Sequence, residues 1–160
     1  MRQLLLAGFF ILSLAASHGA VVRLAPDFGF PGPGNKGQTL KSLRGQPVVL
    51  LIAKKPQSRA FRKQLKYLKE IYQQFASKQV VFIAALGEGA GPVKSDIPFV
   101  VASNGPAVAP AYGAQDDFTL VIIGKDGNVD YQTSKVCTPE HVRDVIQNSF
   151  EVQEISRKGQ

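Results

Sequence analysis

Residues 47–77, PVVLLIAKKPQSRAFRKQLKYLKEIYQQFAS, limit what this chain can fold into more than any other stretch. The apolar, β-branched run from Val48 to Ala53 predicts a strand, and the polar turn Lys54-Lys55-Pro56-Gln57-Ser58-Arg59 ends it. Ser58 is placed to cap a helix. Beyond it Phe61, Leu65, Leu68, Tyr72 and Phe75 recur at alternating spacings of four and three, which predicts one apolar stripe. Arg62, Lys63, Lys66 and Lys69 fall off that stripe. With Lys54, Lys55 and Arg59 they form an unbroken series of cations before the first acid, Glu70. A continuous apolar run, Val80 to Leu86, follows the helix and reads as a buried parallel strand. Residues 47–86 are therefore expected to form a βαβ unit.

The C-terminal half continues the pattern. Gly87 to Pro92 (GEGAGP) is a glycine-rich loop whose spacing matches neither a Walker loop nor a GxGxxG fingerprint. A short strand is expected at Phe99–Ala102, and a short helix or turn at Ala107–Gly113 with Tyr112 packed inward. Phe118 to Ile123 predicts a central strand, Gly124 to Asn128 a hairpin turn, and Val129 to Thr133 the returning antiparallel edge strand. Thr138 and Pro139 open a last helix that turns Val142, Val145, Ile146 and Phe150 to the sheet. The tail from residue 151 is expected to fray.

Upstream, residues 1–20 have the plan of a secretory leader: Arg2, an apolar run from Leu4 to Leu14, then small residues. Cleavage after Gly19 is expected, with Ser17 and Ala20 as alternatives. That divides the chain into a signal peptide at 1–19 and one domain at 20–160. The apolar run is shorter than the ~20 residues of a membrane-spanning helix, so no transmembrane segment is expected after cleavage. The destination is secreted or periplasmic. Residues 21–39 open in an extended stretch and pass into a Gly/Pro-rich loop, PGPGNKGQT; residues 40–46 form a turn or one-turn helix before the first long strand.

Export makes the cysteine usage informative, because an oxidising compartment favours disulfides. Cys137 is the only cysteine in the sequence, so no intramolecular disulfide and no C-x-x-C couple can form. Of the two histidines, His18 lies in the leader and only His141 remains. One cysteine and one histidine do not make a structural zinc site, and no cofactor or metal is expected. The formal net charge of +7 suits an anionic partner, although a solvated basic surface is the simpler explanation. Aromatic residues do not interleave with the cations as a base-stacking platform requires, so nucleic acid is not expected.

The stretches APDF, LRGQPVVLLIA and YGAQDDFTLVIIGKDGNV resemble the thioredoxin-like superfamily. DDFTLVIIGKDGNV, TPEHVRDVI and PQSRAFRKQLKYL look more narrowly like a cysteine-free extracellular domain of unassigned function. It is shared by bacterial secreted proteins and by sushi-repeat and equarin-type matrix proteins. The resemblance covers roughly residues 45–150. It implies an α/β fold: a thioredoxin-like three-layer sandwich around a central mixed sheet, with βαβ, then a β-hairpin, then α.

Set against the redox pattern C-x-x-C-R of that superfamily, KKPQSR puts Lys55 where the attacking cysteine would stand and Ser58 at the resolving position. Asp117-Phe118 stand where a cis-proline would face the site. With those redox elements absent, a non-enzymatic, redox-inactive protein that works by binding an unknown protein or anionic partner is expected. The basic 54–69 turn and helix is the candidate surface, and Lys54, Lys55, Ser58 and Arg59 are its candidate anion ligands at a helix start. Against that stands a plain capped helix with a lysine-rich face. Cys137, before the Thr138 cap, reads as a packed staple residue; the alternative is a peroxiredoxin-like, thiol-dependent antioxidant using Cys137.

Overall fold

The computed structural model describes residues 23–158. The expected leader at 1–19 and its expected cleavage site lie outside the described residues. Val48–Ala53 forms a strand in which every residue is buried. In chain order the strands are β1 (Gly29–Pro31), β2 (Gly37–Thr39), β3 (Val48–Ala53), β4 (Val81–Leu86), β5 (Val100–Val101), β6 (Phe118–Ile123) and β7 (Val129–Thr133). The α-helices are α1 (Arg59–Phe75), α2 (Gly105–Ala111) and α3 (Pro139–Lys158).

β3 sits in the middle of a five-stranded mixed sheet of order β5-β4-β3-β6-β7, parallel to β4 and antiparallel to β6. Its alternating side chains feed two cores. Val49, Leu51 and Ala53 pack with Phe61, Leu68, Ile71 and Phe75 of α1 and with Val142 and Ile146 of α3. Val48, Leu50 and Ile52 pack with Val108 and Tyr112 at α2 and with Phe30 and Leu40 of the opening segment. Helices α1 and α3, the sheet, and α2 with the N-terminal segment are the three layers of a thioredoxin-like sandwich, the α/β fold class expected above.

Several local expectations need correction. The Gly/Pro-rich loop contains a hairpin: β1 and β2 pair antiparallel, Gly29 opposite Thr39, around a tight turn with Gly34 and Asn35 at positive φ. Backbone bonds from Gly32 N–H to Lys36 O (2.7 Å) and from Ser103 N–H to Gly29 O (2.9 Å) hold it, while Phe30 is buried beneath. The strand placed at 99–102 is confined to Val100–Val101, and the helix placed at 107–113 spans Gly105–Ala111. α3 continues to Lys158 where the tail was expected to fray.

The buried stripe of α1 is Phe61, Gln64, Leu68, Ile71 and Phe75, with Leu65 and Tyr72 half-buried at its margin. The remaining boundaries hold closely. Thr138 Oγ1 accepts from His141 N–H at 3.3 Å, capping α3, and Tyr112 is buried with its hydroxyl donating to Pro26 O at 2.9 Å. Among the described residues no helix is long and apolar enough to cross a membrane.

α2 packs on β4 through an approach that only glycine permits. A Cβ built on Gly105 would lie 2.1 Å from Leu86 O and 2.5 Å from Leu86 N, both backbone atoms that cannot swing aside. Gly105→Ala is expected to lower unfolding stability by about 1–3 kcal/mol, the usual penalty of overpacking, in chemical denaturation followed by far-UV circular dichroism.

Candidate functional site

The turn after β3 is pinned on both flanks. Lys54 N–H donates to Asp117 O at 3.1 Å, and Lys54 Nζ reaches Asp117 Oδ1 at 2.6 Å. Both side chains are exposed, so the pair contributes little stability. The hydrogen bond and the opposite charge nonetheless raise the Lys54 ammonium above its usual range and hold the Asp117 carboxyl below its own. On the other flank Gln57 Nε2 donates to Ala90 O at 3.3 Å, tying the turn to the glycine-rich loop.

The four candidate ligands thus share one turn but not one role. Lys54 is engaged by Asp117. Ser58 Oγ accepts from Phe61 N–H at 3.3 Å, which makes it the helix cap. Lys55 and Arg59 are exposed, and Pro56 between them is buried.

A second basic feature runs along the flank of α1. Arg62, Lys66 and Lys69 are exposed and face the segment 92–96 across two adjoining cavities. One, of about 390 Å³, lies among Arg62, Leu65, Lys66, Lys69, Lys94 and Asp96. The other, of about 480 Å³, lies among Pro56, Gln57, Arg62, Pro92 and Lys94. Lys69 and Asp96 form an ion pair across the first, and that contact lowers the Asp96 carboxyl. Lys94 was not legible as a site residue, because only the fold brings the loop after β4 alongside α1.

Cys137 lies on the α1/α3 side of the sheet. It is 7 % exposed, and burial pushes its thiol up despite an S–H contact to Tyr131 Oη at 3.7 Å. His141 is exposed, with its ring edge-on to that of Tyr131 and the centroids 4.8 Å apart. Among the described residues no group of three or more His, Cys, Asp or Glu side chains could hold a metal ion.

The least expected contact is Gln64, a fully buried polar side chain on α1. Its Oε1 accepts from Cys137 N–H at 2.8 Å and its Nε2 donates to Cys137 O at 3.2 Å. The amide completes the peptide hydrogen bonds of the segment leading into α3, which would otherwise be unpaired and buried.

Two measurements check these assignments. Gln64→Glu puts a carboxylate against Cys137 O and raises that carboxyl's folded-state pKa above its unfolded value of about 4.3. The variant should lose about 2–4 kcal/mol at neutral pH and regain stability as pH falls through the raised pKa, where the protonated acid again donates. For the turn, Asp117 followed by carboxyl NMR should titrate below an ordinary aspartate. Lys54→Ala should return it toward the usual range.

No family model matches the chain, and no curated protein matches it. Solved structures do. A candidate thiol:disulfide interchange protein DsbE from Chlorobium tepidum is 19% identical with TM-score 0.63, covering 80% of this chain and 96% of that one. A candidate thioredoxin from Neisseria meningitidis is 20% identical with TM-score 0.64, covering 79% and 89%. The exposed lipoprotein thioredoxin Etrx1 of Streptococcus pneumoniae is 17% identical with TM-score 0.57, covering 77% and 99%. At these identities the likeness is one of fold: this chain is similar to thioredoxin-like proteins over most of its length.

Proposed function

We propose that this chain is a secreted or periplasmic thioredoxin-like module that acts by binding an anionic partner, with the basic 54–69 turn and helix as the contact surface. The observation that carries this reading is the charge at the start of α1. The first turn has no acidic residue, while Lys55, Arg59, Arg62 and Lys63 crowd the end where the helix dipole is already positive. Such cations are unfavourable by roughly 0.3–1 kcal/mol each when near the terminus. An external anion reverses the sign of that interaction.

Thiol chemistry has less to stand on. The strand–helix junction offers a lysine and a serine committed to capping, and Cys137 is buried with its thiol raised, the reverse of a reactive thiolate. Its contacts with Gln64 and Tyr131 support the packing role over the antioxidant one. The likeness to an exposed lipoprotein and the leader-like plan of residues 1–19 support an extracytoplasmic setting.

Retention on immobilised heparin as a function of salt tests the binding reading. Lys55→Ala/Arg59→Ala should elute earlier than wild type below about 0.2 M salt and together with it near 1 M, where screening is nearly complete. Coincident elution at all salts rules out the turn. In parallel, peroxide consumption should be the same for wild type and Cys137→Ser, and equal to buffer; a rate that vanishes in the serine variant would establish the antioxidant reading.

A further inference from the structure

We propose that the groove between α1 and residues 92–96 is the seat of an extended peptide segment of a partner protein, acidic and carrying an apolar anchor residue. The inference rests on the binding reading above and narrows it to one place and one ligand chemistry. The two cavities flanking α1 both reach Arg62 and Lys94, so they form one elongated groove, with Pro56 and Pro92 toward one end and the Lys69–Asp96 pair at the other. From Arg62 to Lys69 the helix advances about 10 Å, which is the length of about three residues of extended chain.

Charge selects the ligand's sign. Arg62, Lys66 and Lys94 line the groove, and the one carboxylate among its described lining residues, Asp96, is already held by Lys69. Cations converging across a narrow gap repel one another, and carboxylates placed between them relieve that repulsion. The planar fork of Arg62 matches a carboxylate in two-point geometry.

The walls select a peptide over a bare anion or a sulfated sugar. Leu65 is half-buried and Pro56 is buried at the lining, and Pro92 stands opposite. An inorganic anion gains nothing from these apolar surfaces, whereas a leucine-sized side chain gains by removing its apolar surface from water against them. The loop side is also held in place before any ligand arrives. Gln57 Nε2 donates to Ala90 O, buried Ile97 anchors the segment in the core, and Ser95 Oγ accepts from the Ile97 N–H at 3.2 Å. A preformed groove spares the partner the ordering cost that a mobile loop would add.

Fluorescence anisotropy with a labelled peptide of glutamates around a single leucine, titrated with the full chain, tests this. Arg62→Glu/Lys94→Glu should weaken binding by at least about tenfold, while Lys36→Ala/Lys135→Ala, outside both the groove and the basic 54–69 surface, should stay within about twofold. Replacing the leucine by glycine should weaken binding by about fivefold or more. All four residues are exposed, and unchanged thermal melting of each variant shows that the fold is kept. Equal loss with both double variants, or indifference to the leucine, overturns the groove assignment. So does binding of a heparin oligosaccharide that depends on Arg62 and Lys94 without any peptide binding. Absence of peptide binding with heparin retention intact overturns the groove and spares the basic-face reading; loss of both signals removes both.

Discussion

A strand with no solvent face has to be covered twice, and that requirement arranges everything else in this chain. β3 buries every residue from Val48 to Ala53, so its odd-numbered side chains need α1 and α3 and its even-numbered ones need α2 and the opening segment. A single layer of helices would leave one row of valine, leucine and isoleucine in water. Each such side chain is worth roughly 1.5–3 kcal/mol on full burial. The turn that leaves this strand is consequently fixed in space by the sheet, and so is the start of α1.

Gln64 shows how the covering layer is locked in register. Without it, the peptide of Cys137 would enter the core with both hydrogen-bonding groups unpaired, at about 1–3 kcal/mol for each group. The glutamine amide takes both groups and so joins α1 to the entrance of α3 at one defined height. That join also explains the position of Cys137: its backbone is anchored by Gln64, its side chain fills the core beneath Tyr131, and its thiol is raised by the burial that makes it useful there.

The sequence announces the sheet better than the surface that covers it. β3, β4 and β6 are legible because an apolar run of strand length has few other uses. The stripe of α1 is ambiguous: Phe61, Leu68 and Phe75 belong equally to a series through Leu65 and Tyr72 and to one through Gln64 and Ile71. Periodicity favours the first series because leucine and tyrosine look more apolar than glutamine. The second is buried because only Gln64 can satisfy Cys137, a partner supplied by the tertiary fold. β1 and β2 are hidden for a different reason: strands of three residues around a Gly/Pro turn carry no period to detect. The basic turn is legible residue by residue, but its division of labour is not. Nothing local says that Lys54 answers Asp117 or that Lys94 stands across from Arg62.

The charge at the start of α1 is where fold and function part company. In a thioredoxin-like redox site the helix N-terminus stabilises a thiolate, and dipole and anion satisfy each other. Here the turn into α1 holds Lys55 and Arg59, so the dipole and the side-chain charges have the same sign and add. A chain under selection for stability alone has a simple remedy, an acidic residue in the first turn, which restores a favourable interaction without touching the core. This chain has cations there instead, and it continues them down the exposed flank of α1 to Lys69. Of these, Lys54 and Lys69 are answered from within by Asp117 and Asp96. Lys55, Arg59, Arg62 and Lys66 face outward, with Lys94 facing Arg62 across the groove. An unfavourable arrangement that the fold does not require, set beside the groove lined by Arg62 and Lys94, is what supports the proposed carboxylate-bearing partner.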